Sequence, residues 1–220
     1  MIQHNLFPVS IYSNMLDVDS NTKNKMIEKI YELKKISKGS VVSNSGGWHS
    51  DRVDLFSLEE FTLLKEKINE CLVKIINTYY YKLKAFRNNF ENFDLNKLFM
   101  ENWVIVNGYK NSNHIHSHPN NWLSGVYYLS VPKNSGELRF IDMISSRVHE
   151  GYYYLPSNLE SEMSGVITPE NNKLVVFPSW LPHTVEENQS KEDRISISFN
   201  IPYPFLGVEP LVVKGDINDR

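Results

Sequence analysis

Apolar positions along the chain follow two different periods. Over residues 20–37 (SNTKNKMIEKIYELKKIS), Met26, Ile27, Ile30, Tyr31 and Leu33 recur at helical spacing, which predicts an amphipathic helix. Ser20 or Asn21 is placed to cap it, and Lys38-Gly39 to end it. Ser57-Leu58-Glu59-Glu60 reads as a capping box. The expected helix runs from about 58 to 86, with Phe61, Leu64, Ile68, Leu72, Ile75, Ile76 and Tyr79 on one face. Residues 5–15 read as a short strand, and 41–56 as a polar loop with a glycine pair.

Beyond residue 95 the period falls to two. Segments 99–109, 122–131, 136–143, 151–155, 173–180 and 194–201 alternate as strands, with Pro and Gly between them. Helices followed by a run of short strands predict an α+β, mainly β chain built on a sandwich or barrel. The expected organisation is a single domain over 1–220. Residues 1–95 form a mainly helical support layer and 96–205 the β core, with a loosely held tail after Pro210.

Composition narrows the function less than the pattern does. The 220 residues carry a net charge of −3, with basic residues scattered. No field attracts nucleic acid or anionic lipid, and neither is an expected partner. No stretch approaches the ~20 apolar residues of a spanning helix. The first residues lack the pattern of a signal peptide. The one cysteine, Cys71, falls on the apolar stripe of the second helix and reads as a small hydrophobe. These features set the expectation of a cytoplasmic protein.

The histidines change the picture. Three of the seven stand at 114, 116 and 118. In an extended chain alternate residues project to one side, so all three would share a face. Imidazoles at i and i+2 can reach one metal ion, and neutral imidazole suits Fe, Zn, Cu, Ni and Mn. A further histidine, His183, follows an apolar strand and a proline-flanked turn, with several strands between it and His118. Eleven residues later, Arg194 and Ser196 alternate with Ile195 and Ile197. An arginine facing into a β core needs an anion, and its planar fork fits a carboxylate.

His116-Ser117-His118, His183 and Arg194-Ile195-Ser196 together resemble the 2-oxoglutarate/Fe(II)-dependent oxygenases. Within that superfamily the text resembles a 2OG-Fe(II) oxygenase group of marine bacteria and phages. That group carries HxHP followed by SGVYYL (here 124–129), a GGW loop (46–48), FPSWLPH (177–183) and RISISFN (194–200). The likeness runs from about residue 40 to 203. It implies a double-stranded β-helix, or jelly roll, with Fe(II) as cofactor, 2-oxoglutarate as co-substrate and O2 as oxidant. It implies that His116 and His183 bind iron. Arg194 and Ser196 would hold the distal carboxylate of 2-oxoglutarate, and Tyr127 or Tyr128 would contact the co-substrate. An unidentified substrate would be oxidised at a C–H bond as 2-oxoglutarate becomes succinate.

The chain departs from the family at one ligand. Position 118 is His where the family has Asp or Glu. His118 as a third ligand, His114 with His116 as the pair, a carboxylate from Asp142 or Glu137, and only two protein ligands all remain open. Two other functions compete. A cupin-like metal protein is suggested by Gly108-x5-His114-x-His116 and Pro178-x4-His183, and would not need an inward Arg194. A binding module would use Tyr79–Tyr81 and Tyr152–Tyr154, which read otherwise as core. Trp48 either covers the barrel mouth or packs in a turn. His49 reads as solvated surface, as do the acidic and basic residues of 186–193. The long apolar helix face leaves a homodimer possible.

Overall fold

The structure is a computed structural model that describes residues 9–51, 53–82, 100–141 and 164–202. Strand 151–155, Tyr152–Tyr154, Asp142 and the tail fall outside those residues, as do the side chains of Tyr79–Tyr81.

Two helices form. The first, α1, spans Ser20–Ile36 and buries Met26 and Ile30. Its cap is Asp19, one residue earlier than the sequence suggests, which accepts from the backbone N–H groups of Asn21 and Thr22. A carboxylate there also meets the positive end of the helix dipole. The second, α2, covers Thr62–Lys82. The expected capping box does not form. Ser57 instead donates its hydroxyl to the carbonyl of Asp54, and residues 55–57 and 59–61 make two 3-10 turns before the helix starts. The apolar stripe holds as read, with Leu64, Ile68, Leu72, Ile75 and Ile76 all buried and Cys71 among them.

Among the described residues eleven strands make two antiparallel sheets. They are β1 (Tyr12–Met15), β2 (Asn44–Ser45), β3 (Trp48–His49), β4 (Glu101–Asn107), β5 (Ser112–His116), β6 (Asn121–Ser130), β7 (Leu138–Ile141), β8 (Ser164–Ile167), β9 (Lys173–Pro178), β10 (His183–Val185) and β11 (Arg194–Pro202). One sheet has the order β1-β9-β6-β11-β4-β3 and the other β2-β5-β10-β7-β8. The N-terminal region thus supplies edge strands to both sheets as well as the helices. This is a double-stranded β-helix with open sheets.

The six-stranded sheet is covered on both faces. Tyr127, Leu129, Val104, Val106, Ile195, Ile197 and Phe199 face α1 and α2. Val126, Tyr128, Val175 and Phe177 face the five-stranded sheet and meet Leu138 and Phe140 there. Residues 123–129 of β6 are therefore buried without interruption. Within that strand, Gly125 pairs with Phe199 of β11, and a Cβ at 125 would fall on the Phe199 ring. Gly125→Ala is expected to lower stability by about 1–3 kcal/mol, read as a lower urea midpoint at unchanged slope.

Trp48 settles as a packing residue. It is buried in the helix-side core and donates its indole N–H to the carbonyl of Ser37.

Candidate metal centre

The inter-sheet face of β11 carries Arg194, Ser196, Ser198 and Asn200, while Ile195, Ile197, Phe199 and Ile201 take the helix side. The polar set lines a cleft of about 570 Å³ between the sheets. His116, His118 and His183 line the same cleft from the opposite sheet.

Strand pairing brings the histidines together. His183 on β10 pairs with His116 on β5 and with Phe140 on β7. The ring of His183 lies 4.3 Å from that of His116 and 5.1 Å from that of His118. One nitrogen from each of the three lies within 4.8 Å of the other two. The Nε2 atoms of His118 and His183 are 3.3 Å apart. Two imidazoles bound ~2.1 Å from one ion have a separation of this size.

Backbone carbonyls select the tautomers. His116 Nδ1–H donates to the carbonyl of His114 (2.7 Å), and His183 Nδ1–H donates to that of Leu181 (3.0 Å). Each leaves a bare Nε2 lone pair facing the cleft, the arrangement in which a metal-binding histidine is oriented by its other nitrogen. Burial lowers all three pKa values. His118 falls to about 3, with the His183 and His116 charges adding to the effect, and His183 to about 4. His116 is lowered chiefly by burial as well. All three are neutral near pH 7, so an ion displaces little positive charge on binding.

His114 does not join them. Between His183 and Val185 the β5–β10 register slips, so that His116 and Asn113, three residues apart, oppose residues two apart on β10. This β-bulge inserts one residue and reverses the facing of the strand. Asn113 is buried, whereas His114 is exposed. His114 borders the cleft with His116 and His118 but is not among the clustered donors, so only the latter two join His183. Glu137 also lies away from the cluster, where it accepts from Thr168.

The arginine is the second feature of the cleft. Arg194 is 2% exposed, and its Nη1 donates to the carbonyls of Ser135 (2.7 Å) and Gly136 (3.3 Å). Among the described residues no carboxylate pairs with it. Burial lowers its pKa, yet a guanidinium remains charged at any physiological pH. A buried cation without a counter-ion is costly, and the open side of this one faces the cleft. Ser196 pairs with Tyr128 across β11 and β6, and both line the cleft beside it. Burial raises the Tyr128 phenol to about 12 against the opposing pull of Arg194, which keeps it a proton donor. Tyr127 points the other way and donates to Asn172. The alternation of β6 therefore gives the cleft Tyr128 and the helix layer Tyr127.

Several lining residues had no signal in the sequence. His49 is half-buried instead of solvated and stacks on Trp103 (5.8 Å, 11°), which in turn lies 5.6 Å from His118. Ser43 Oγ lies 3.4 Å from His116 Nε2 and accepts from the buried Asn113 amide, which is oriented by Asn107. These contacts join segments far apart in the chain, and no local pattern announces them. The 186–193 loop is also less solvated than expected. Glu186 pairs with Arg139, and Asp193 accepts from Tyr31.

A family model described as "Putative 2OG-Fe(II) oxygenase" matches residues 101–200. A search of curated proteins finds no match. Among solved structures, a prolyl-4-hydroxylase of Pseudomonas putida superposes with a TM-score of 0.60 at 13% identity, over 88% of this chain and 92% of its own. A prolyl hydroxylase from Trichoplax adhaerens, in complex with a hypoxia inducible factor peptide fragment, gives 0.55 at 15% identity, over 87% and 83%. HygX from Streptomyces hygroscopicus, with nickel and 2-oxoglutarate bound, gives 0.53 at 10% identity, over 90% and 84%. The similarity to these structures is one of fold. Residues 101–200 thus match a 2-oxoglutarate/Fe(II) oxygenase family model, and the fold of the chain is that of these structures.

Proposed function

We propose that His116, His118 and His183 hold Fe(II), that Arg194, Ser196 and Tyr128 hold the distal carboxylate of 2-oxoglutarate, and that a C–H bond of the substrate is hydroxylated. The observation that carries this reading is the meeting, in one cleft, of three neutral imidazoles and a buried guanidinium that has no counter-ion among the described residues. The donor set accommodates a divalent ion, because one nitrogen from each imidazole lies within 4.8 Å of the other two. The guanidinium accommodates an acid, because no carboxylate among the described residues compensates its charge.

Iron and 2-oxoglutarate together supply the oxidant drawn from O2, with succinate and CO2 as co-products. The residues of the chain bind, orient and exclude water. The carbonyls of His114 and Leu181 hold the two rings so that their lone pairs do not turn away. Arg194 fixes one end of the co-substrate, and the Ser196 and Tyr128 hydroxyls are the neutral donors beside it. Phe140 and Phe177 pack at 6.0 and 4.7 Å from His183 and keep that wall of the centre apolar. A low local dielectric strengthens the charge pairing made inside. A cupin without a co-substrate would have no use for the inward Arg194, so the observed facing of β11 favours the oxygenase over that reading.

The deciding experiment is an anaerobic titration of metal-free protein with Fe(II) and then 2-oxoglutarate. A weak visible charge-transfer band marks a chelated co-substrate. Metal uptake without a band would replace this reading with the cupin one.

A further inference from the structure

We propose that His118 sets the metal preference of this centre, turning it from Fe(II) toward Zn(II) and Ni(II), so that these ions are competing occupants of the site. The inference rests on the metal centre assigned above and concerns which ion that centre selects.

Centres built for Fe(II) in this chemistry combine two histidines with one carboxylate. Here the clustered donors are three imidazoles. The carboxylates that line the cleft are engaged on its other flank. Asp51 accepts from the hydroxyls of Ser37 and Ser40, and Glu101 faces the Asn200 amide. Neither belongs to the cluster, and nor does any other carboxylate among the described residues. A carboxylate offers a hard, anionic oxygen that cancels part of the ion's charge. An imidazole offers a softer, neutral nitrogen. Exchanging one for the other weakens the hold on Fe(II) more than on ions later in the first-row series, which bind nitrogen more strongly.

The anchoring of the rings singles out position 118. His116 and His183 are each fixed by an Nδ1–H bond to a backbone carbonyl. No such partner is found for His118 Nδ1 among the described residues, and its ring rests against Trp103 instead. A change at 118 therefore alters the donor without breaking the hydrogen bonds that orient the other two. Its i+2 spacing from His116 is also that of a histidine–carboxylate pair on one strand face.

The test dialyses metal-free wild type and His118→Asp, without oxygen, against equal Fe(II), Ni(II) and Zn(II), and measures bound metal by mass spectrometry. Wild type is expected to hold Ni(II) and Zn(II) with little Fe(II). His118→Asp is expected to raise the bound Fe-to-Zn ratio at least about tenfold, the lower end of what a change around a metal ligand does to affinity. An unchanged ratio in a folded variant overturns the proposal. X-ray absorption of Zn(II)-loaded wild type decides the matter independently of whether the variant folds. Three imidazoles around the ion support the proposal, and two with a carboxylate overturn it. Wild type that takes up no ion refutes the metal centre itself, a different result from an ion held with the wrong preference.

Discussion

His183→Ala is expected to lose metal binding, with affinity for Fe(II) or a surrogate ion down by more than about 100-fold. The reason is positional. His183 is the only ligand candidate on β10, and it faces His116 across one strand pair. Removing it leaves two donors, both supplied by residues 116–118. Changes one shell further out already cost about 10–100-fold in other metal sites. The ring is also 4% exposed and packed against two phenylalanines. The alanine variant will therefore lose some stability to a cavity as well. His183→Gln fills more of that space and separates the two effects. Isothermal titration with Ni(II), alongside circular dichroism to confirm folding, is the measurement. Metal affinity equal to wild type in either variant would remove His183 from the site.

Arg194→Met should split stability from function. Among the described residues the buried guanidinium has two carbonyl acceptors. Methionine keeps much of the length and removes the charge, so the free protein is expected to gain about 1–3 kcal/mol. Binding of 2-oxoglutarate should weaken by about 2–5 kcal/mol, because the acid then enters a dry cleft without its counter-charge. Fe(II) binding should be unaffected, since Arg194 is not among the clustered donors. Chemical denaturation of the free protein and the charge-transfer titration read the two halves separately. Unaltered 2-oxoglutarate affinity would withdraw the role given to Arg194. A large loss of stability in the free protein would mean that the guanidinium is better satisfied than its contacts indicate.

The site was unevenly legible in the sequence. The facing of Arg194 and Ser196 was readable because β11 alternates apolar and polar residues, and only one register buries the isoleucines against the helices. Tyr127 and Tyr128 were not separable, because residues 123–129 are buried on both faces and alternation there carries no information about direction. The capping box failed for a related reason. Ser57 had a nearer acceptor in the Asp54 carbonyl, and the 3-10 turns that resulted moved the helix start.

By itself the sequence determined the amphipathic helices, the change of period near residue 95, the identity of the histidines and the parity of β11. These follow from local spacing, which the chain enforces wherever one face must be buried. Tertiary structure decided which histidines meet. The bulge between Asn113 and His116 lies where β5 pairs with β10 on one side and β2 on the other. Across that bulge His116 joins His118 and His183 as clustered donors, while His114 stays exposed at the border of the cleft. Sheet stacking then decided that Tyr128, Trp103, His49 and Ser43 would border the cleft. Their contacts depend on how two sheets pack, and the order of residues within any one strand does not specify that.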